Sequence, residues 1–413
     1  MQFHLKLPKG SPTPRMSRDS LLSTLARLIA SGDANSKADL ARATGLSRSL
    51  IEPSVNTLIE LGVVKRTGAK DSHGRGRPGE MLDLDPSSRL ILVADCGYAH
   101  CTLAILDLRQ RLLASEQVEI LVTDPADAVL SDLSDHLLRM IDELGLSDIP
   151  RRLVFGSPGF VDRSEGEVYP LARGRTSPWD GYPVTARMSE LIGGPAQMEH
   201  DVALRAIGEA FTSPTTRGAL AYIKVSSGIG LALVSASGEL QLGADGYAGQ
   251  ISHVKVTDEA IECTCGNHGC LGAVASMMAI AESLGIDVTN PGWTESLLDM
   301  IKEQDPRAVR AVKRSGELVG QAVVDLIHFI NPERVVIGGN LVRSSDHLLA
   351  GVRSIVYTRG LPFTTRSLEV GAPLLGGQSG IAGALGVALL SELSAESFSQ
   401  RLGDAGTGTS VAG

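Results

Sequence analysis

Three cysteines, Cys263, Cys265 and Cys270, sit in the short run C-T-C-G-N-H-G-C, with His253 ten residues upstream. Thiolate and imidazole are the ligands that tetrahedral Zn2+ prefers, and Gly266 and Gly269 let the backbone curl until three sulfurs face one ion. The spacing predicts a structural zinc knuckle of Cys3His type, closed to water and so unsuited to hydrolysis. The competing reading is three buried cysteines without metal. His268 competes as fourth ligand, but it lies inside the loop that the cysteines must close, which favours His253.

At 413 residues and 43% hydrophobic content, the chain has room for two or three globular units, each with its own core. No apolar run reaches membrane length and the opening stretch lacks a signal-like apolar core, so a cytoplasmic protein is expected, with no membrane partner. Cys96 and Cys101 fall in an apolar stretch and read as core residues. A net charge of −9 argues against a nucleic-acid binder, yet the charge is unevenly placed: residues 1–90 carry 14 Lys+Arg against 9 Asp+Glu, and the remainder is strongly acidic. A small basic head on a large acidic body suits a DNA-binding unit fused to a sensing unit.

Composition predicts a disordered N-terminal arm over 1–16 and a disordered tail over 399–413. From Arg18 to Ala30, Leu21, Leu22, Leu25, Leu28 and Ile29 recur at helical spacing. Ser36 starts a second helix that Gly45 ends, and Ser47 caps a third whose Val55, Leu58, Ile59 and Leu61 face inward. Val63 to Arg66 and the alternating Met81 to Leu84 flank the loop Gly74-Arg75-Gly76-Arg77-Pro78-Gly79. Residues 17–85 thus read as a winged helix-turn-helix, whose third helix offers Ser47, Arg48, Ser49, Glu52 and Asn56 to the major groove of double-stranded DNA. Arg75 and Arg77 reach phosphates or the minor groove. The bland alternative is a three-helix packing module with a solvated linker. Pro53 removes a backbone donor and is expected to kink or split the third helix after Ile51.

From Arg89 the pattern becomes α/β. Leu90 to Gly97, Thr102 to Asp107 and Leu112 to Ile120 read as strands, a helix follows over about 125–144, and Arg152 to Gly156 is another strand. A second cycle starts near Ala219, where Ala221 to Val225 runs through Ser226-Ser227-Gly228-Ile229-Gly230 into Leu231 to Val234. Two lobes, each with a glycine hairpin, would clamp a ligand between them.

On C-T-C-G-N-H-G-C-L (Cys263–Leu271), G-Q-I-S-H (Gly249–His253) and H-D-V-A-L-R-A-I-G-E (His200–Glu209), the chain resembles the ROK family of sugar kinases and transcriptional repressors over almost its whole length. The winged head with its G-R-P loop is similar to the xylose-repressor-like branch. The resemblance implies an α/β, actin-like and ribonuclease-H-like two-lobe effector domain at 89–395, with the zinc knuckle at 253–270, preceded by the winged helix. It implies that Asp201 matches the kinase base, while Asp95, Gly97, Ser227, Gly228, Gly230, Gly338 and Gly339 match the nucleotide turns.

The departures point away from catalysis. Where the family grips sugar hydroxyls with an asparagine, a glutamate, a histidine and a second glutamate, this chain has His200, Gln250, His253 and Gly272, and Ser252 replaces a glycine. Loss of two carboxylates weakens sugar hydrogen bonding by about 1.5–3 kcal/mol each, and Ala99 stands where a phosphate turn tends to have threonine. Asp201 alternatively caps or buttresses the helix running to Phe211. The resulting expectation is a catalytically inactive homologue, a homodimeric or homotetrameric regulator of carbohydrate-related genes, with His200, Asp201, Gln250 and His253 binding a sugar or sugar derivative and Zn2+ as structural cofactor. An active kinase with a DNA-binding head and an effector-blind DNA-binding protein are the alternatives. The stripe Val309, Val312, Leu318, Val319, Val323 and Leu326 within 305–330 marks an inter-lobe or dimer contact, or simply core.

Overall fold

The first two helices start at hydroxyl residues that cap them. In the computed structural model, which describes residues 1–8, 16–69, 80–169, 177–290 and 292–407, Ser17 accepts the Ser20 N–H at the start of α1 (Arg18–Ala30), and Ser36 accepts the Asp39 N–H at the start of α2 (Lys37–Thr44). Gly45, at φ 71°, closes α2 in the left-handed conformation that glycine adopts without strain. Ser47 precedes α3 (Arg48–Glu60) but its side chain makes no capping bond. It meets the Ser49 hydroxyl instead, at 2.8 Å, so the expected cap is absent. Nor does Pro53 split α3, which runs unbroken. Ile51, Val55 and Leu58 are buried on both sides of the proline, and that tertiary anchoring offsets the lost backbone bond. An antiparallel hairpin of β1 (Val64–Ala69) and β2 (Glu80–Leu84) follows. Arg75 and Arg77, which fall between these strands in sequence, lie outside the described residues.

Both terminal segments depart from expectation. Phe3, Leu5 and Leu7 are buried, and the stretch from Met1 to Pro8 is bonded along its length to neighbouring elements, so the disordered arm is corrected over those residues. Their apolar side chains alternate with polar ones, a strand-like pattern that buries one face. The tail forms α15 (Ala395–Thr407). Phe398 is fully buried, and Arg401 joins Arg89 and Arg152 around the buried carboxylate of Glu392. A lone carboxylate there would be costly, and three guanidinium groups pin the helix in place.

Beyond the head, one mixed sheet has the order β5-β4-β3-β6-β9, built from β3 (Leu90–Cys96), β4 (His100–Asp107), β5 (Leu112–Glu119), β6 (Arg151–Ser157) and β9 (Ala196–His200). The small hairpin of β7 (Phe160–Asp162) and β8 (Glu167–Tyr169) stands beside it, with α4 (Ala126–Glu143) and α5 (Val184–Ile192) on its outer face. A second sheet, β11-β10-β12-β13, uses β10 (Leu220–Val225), β11 (Ile229–Val234), β12 (Arg334–Gly338) and β13 (Glu369–Gly371). Each sheet opens with an antiparallel hairpin and continues in parallel strands. Cys96 and Cys101 face each other across the first hairpin as buried free thiols.

Alternate residues of the strands serve two cores. Leu90, Leu92 and Ala94 face the outer helices, whereas Ile91 and Val93 face α6 (Asp201–Thr212) and α14 (Ser379–Glu392), which fill the space between the sheets together with Tyr222 and Val336 of the second. Those helices touch backbone to backbone: a side chain on Gly383 would collide with the Leu204 carbonyl, and one on Gly208 with that of Ser379. The second sheet is backed by α7 (Leu271–Ala275), α8 (Met277–Ser283), α9 (Trp293–Lys302), α10 (Pro306–Ile330), α11 (Asn340–Ser344) and α12 (His347–Arg359). The stripe on α10 packs chiefly on α12 within this outer core, so it serves core packing and not the lobe junction. No single described helix is long and apolar enough to cross a membrane.

Candidate functional site

A cleft of about 700 Å3 opens between the two sheets. One wall comes from the first sheet and its β7–β8 hairpin, with Phe160, Arg163, Trp179, His200 and Asp201. The facing wall comes from β10, β11 and the segment after them, with Lys224, Ser227, Gly228, Gly230, Tyr247, Gln250, Ser252 and His253. The four residues expected to bind an effector therefore converge. Of the nucleotide-turn residues, Ser227, Gly228 and Gly230 line the cleft; Asp95, Gly97, Gly338 and Gly339 are not among its described lining. Gly339, at φ 106°, packs against the Val225 backbone, where any side chain would collide.

The charges in the cleft are internally matched. Asp201 opens α6, is nearly fully buried and ion-pairs with Lys224 of β10. Burial alone would raise its pKa, but Lys224, Arg205 and His200 hold the carboxyl at about 2. Asp95 is clasped by both terminal nitrogens of Arg205, at 3.1 and 2.9 Å, and Glu199 by Arg163. His200 is held below its ordinary pKa by burial, so it is neutral near pH 7, and its ring stacks on Phe160. Tyr247 meets Phe160 and Tyr169 edge-on. Neutral donors and acceptors on His200, Gln250 and Ser252, beside aromatic faces, suit hydroxyl-rich ligands. Asp201 does not cap α6; its carboxylate is spent on Lys224 and Arg205. Gly272 lies in the first turn of α7, and a side chain there would meet the Ser252 hydroxyl.

His253, Cys263, Cys265 and Cys270 place one ligand atom each within 4.8 Å of one another. Cys265 Sγ and Cys270 Sγ are 3.8 Å apart, and Cys263 Sγ is 3.5 Å from His253 Nδ1. A tetrahedron with metal–sulfur arms of about 2.3 Å has edges of about 3.8 Å, so these four residues fit a metal ion. Burial and the neighbouring thiols push Cys270 up to about 12, a proton affinity that a bound cation would overcome. His268 stands outside the group.

On the head, Ser47, Arg48, Ser49 and Glu52 are exposed at the start of α3, and Asn56 is half-buried one turn further on. Glu52 is already paired with Lys37 at 2.9 Å, and Asn56 accepts from Arg66 at 3.5 Å. Sequence reasoning missed Leu50, half exposed among these polar neighbours. It also missed Lys224 and Arg205. Lys224 did carry a signal, a lone charge in the apolar strand A-Y-I-K-V.

The ROK family model matches residues 92–391. The chain is 23% identical to a xylose repressor of Bacillus spizizenii over 81% of this chain and 86% of that one. It is 30% identical to a glucokinase of Thermotoga maritima, over 67% of this chain and 92% of that one. Among solved structures, a ROK family transcriptional regulator described as a homologue of Escherichia coli Mlc superposes with a TM-score of 0.74 at 21% identity, covering 93% of this chain and 98% of that one.

Proposed function

Because this chain belongs to the ROK family, we propose that it is a DNA-binding transcriptional regulator whose cleft receives a sugar or sugar derivative and no longer transfers phosphate. Residues 17–85 act as a winged helix-turn-helix, with α3 in the major groove and the β1–β2 loop along the backbone. The repressor relative aligns over more of the chain than the kinase relative does, in keeping with a head that serves DNA.

The observation that carries the regulator reading over a kinase is the Lys224–Asp201 ion pair. A general base must be free to accept a hydroxyl proton, and a carboxylate held at about 2 by an ammonium and a guanidinium is a poor base at neutral pH. Arg205 likewise occupies both oxygens of Asp95, the carboxylate that would face a metal-bound nucleotide. The cleft keeps shape and polarity for recognition while its acids are neutralised. Zn2+ bound by His253, Cys263, Cys265 and Cys270 holds the cleft-side loop in position. The regulator works as a homodimer or homotetramer, whose paired heads span two operator half-sites.

Footprinting the purified protein on the DNA upstream of its own gene, with and without a panel of hexoses, pentoses and amino sugars, tests this reading. A protected site whose occupancy changes with one sugar is expected, with no sugar-dependent ADP release from Mg-ATP. Turnover at ordinary kinase rates, or no protected site at all, refutes it.

A further inference from the structure

The stretch Met1–Pro8, anchored by the buried Phe3, Leu5 and Leu7, touches three parts of the molecule in eight residues. On the first sheet, the Leu112 N–H donates to Met1 O and the Phe3 N–H to Gln110 O, both at 2.9 Å. Gln110, in the turn between β4 and β5, has φ 65°, a left-handed conformation that is costly for a side chain of its kind. Its own side chain is buried and bridges two elements: Oε1 accepts the Leu5 N–H at 2.8 Å and Nε2 donates to Ala30 O, at the end of α1, at 2.7 Å.

Further along, the arm grips the head and the cleft elements together. Lys6 Nζ donates to Ser31 O and pairs with Asp33, both at 2.7 Å, and the Leu7 N–H donates to Ser31 Oγ at 3.0 Å. The backbone N–H of the same Lys6 donates to Phe211 O at 2.7 Å. Pro8 packs on Gly238, so closely that a side chain there would collide with its ring.

Phe211 and Gly238 lie at the far ends of two elements whose near ends form the cleft. Asp201 begins the helix whose last turn holds Phe211; Ile229 to Leu233 line the cleft along the strand that turns at Ser235–Gly238 and returns as Leu240–Leu242, again in the lining. A relative shift of α6 against β11 must therefore move the floor on which Lys6 and Pro8 rest. Packed, hydrogen-bonded segments pass displacement on because they have few intermediate arrangements.

We propose that Met1–Pro8 is the coupling strap of this protein: it senses the α6–β11 spacing set by the cleft and transmits it to the α1–α2 turn of the head. This goes beyond the regulator reading, and it is testable without DNA or effector, so the two fail separately. A direct contact also joins head and body, since Ser23 donates to Leu393 O and Arg27 to Leu390 O, and the test must separate the two routes.

The experiment is amide hydrogen exchange on the full-length protein, with the cleft perturbed by Lys224→Met or, should that variant not fold, by Gly230→Val, which wedges β11 against Val202. In the otherwise unaltered chain, exchange over residues 18–60 is expected to change severalfold along with that over 201–212 and 229–242. In a Lys6→Ala/Ser31→Ala background, the response at 18–60 should be lost while the cleft segments keep theirs. A head response that survives undiminished assigns the coupling to the direct contact of α1 with Leu390 and Leu393 and overturns the proposal. So does a head that never responds although the cleft segments do.

Discussion

Ser252 and Gly272 occupy one space between them. A β-carbon at 272 would overlap the Ser252 hydroxyl as it now points, so a side chain at 272 requires that hydroxyl to turn aside. Two departures from the kinase pattern that look independent along the chain are a single steric exchange. Gly272→Ala is accordingly expected to destabilise the protein by about 1 kcal/mol, the cost of turning the Ser252 hydroxyl aside. In a Ser252→Gly background the same change should cost little. Urea unfolding of the four proteins in a double-mutant cycle measures the coupling.

Lys224→Met removes the ammonium and leaves buried Asp201 with Arg205 and His200 as its charged or polar neighbours. Breaking a buried pair in this way costs about 3–5 kcal/mol, read from urea midpoints at pH 7.

The pH dependence has a defined sign. The folded Asp201 carboxyl sits at about 2, below its ordinary 3.8. A depressed acid contributes stability above its unfolded pKa and loses it as the pH falls through the folded one. The native protein should therefore lose this contribution between about pH 4 and pH 2. In Lys224→Met the loss shrinks or reverses, because burial then favours the protonated acid. Unfolding midpoints at pH 5 and pH 3 for both proteins check it.

Metal content should be one Zn2+ per chain by chromogenic titration after thiol modification. Cys265→Ser should lower that stoichiometry, and chelation should lower the melting temperature, since ligand-bound folded states are stabilised by mass action.

On the proposed DNA-reading helix, Arg48→Ala is expected to cost about 1–3 kcal/mol of operator affinity. Leu50→Ala should chiefly relax preference for thymine, whose methyl group an exposed aliphatic side chain contacts. Competition titrations against single-base operator variants distinguish these effects, and removal of Arg75 and Arg77 should reduce the salt dependence of binding.

Much of the architecture was legible in local pattern. Leu22, Leu25 and Ile29 recur at the helical period and form the buried face of α1; Gly45 stands where the chain must turn left-handed; and Cys263, Cys265 and Cys270 lie close enough in sequence that any compact loop brings them together. These features depend on residues within one or two turns of each other. The arm and tail were misread because composition records how flexible a free segment is, and not whether a groove awaits it. Phe3, Leu5 and Leu7 are buried in a core shared with residues of β4, α6 and α14, which are distant along the chain.

The sequence by itself determined the order of helices and strands, the glycine turns and the thiol cluster, all set by short-range sterics and hydrophobic period. Only the tertiary structure decided that Lys224 neutralises Asp201, that Arg205 takes Asp95, that Ser252 fills the place of a side chain at 272 and that residues 1–8 bind head to body. Charge pairing and steric exclusion act over a few ångströms in space, and nothing in the spacing of residues 95, 201, 205 and 224 states that distance until the sheets have closed on α6.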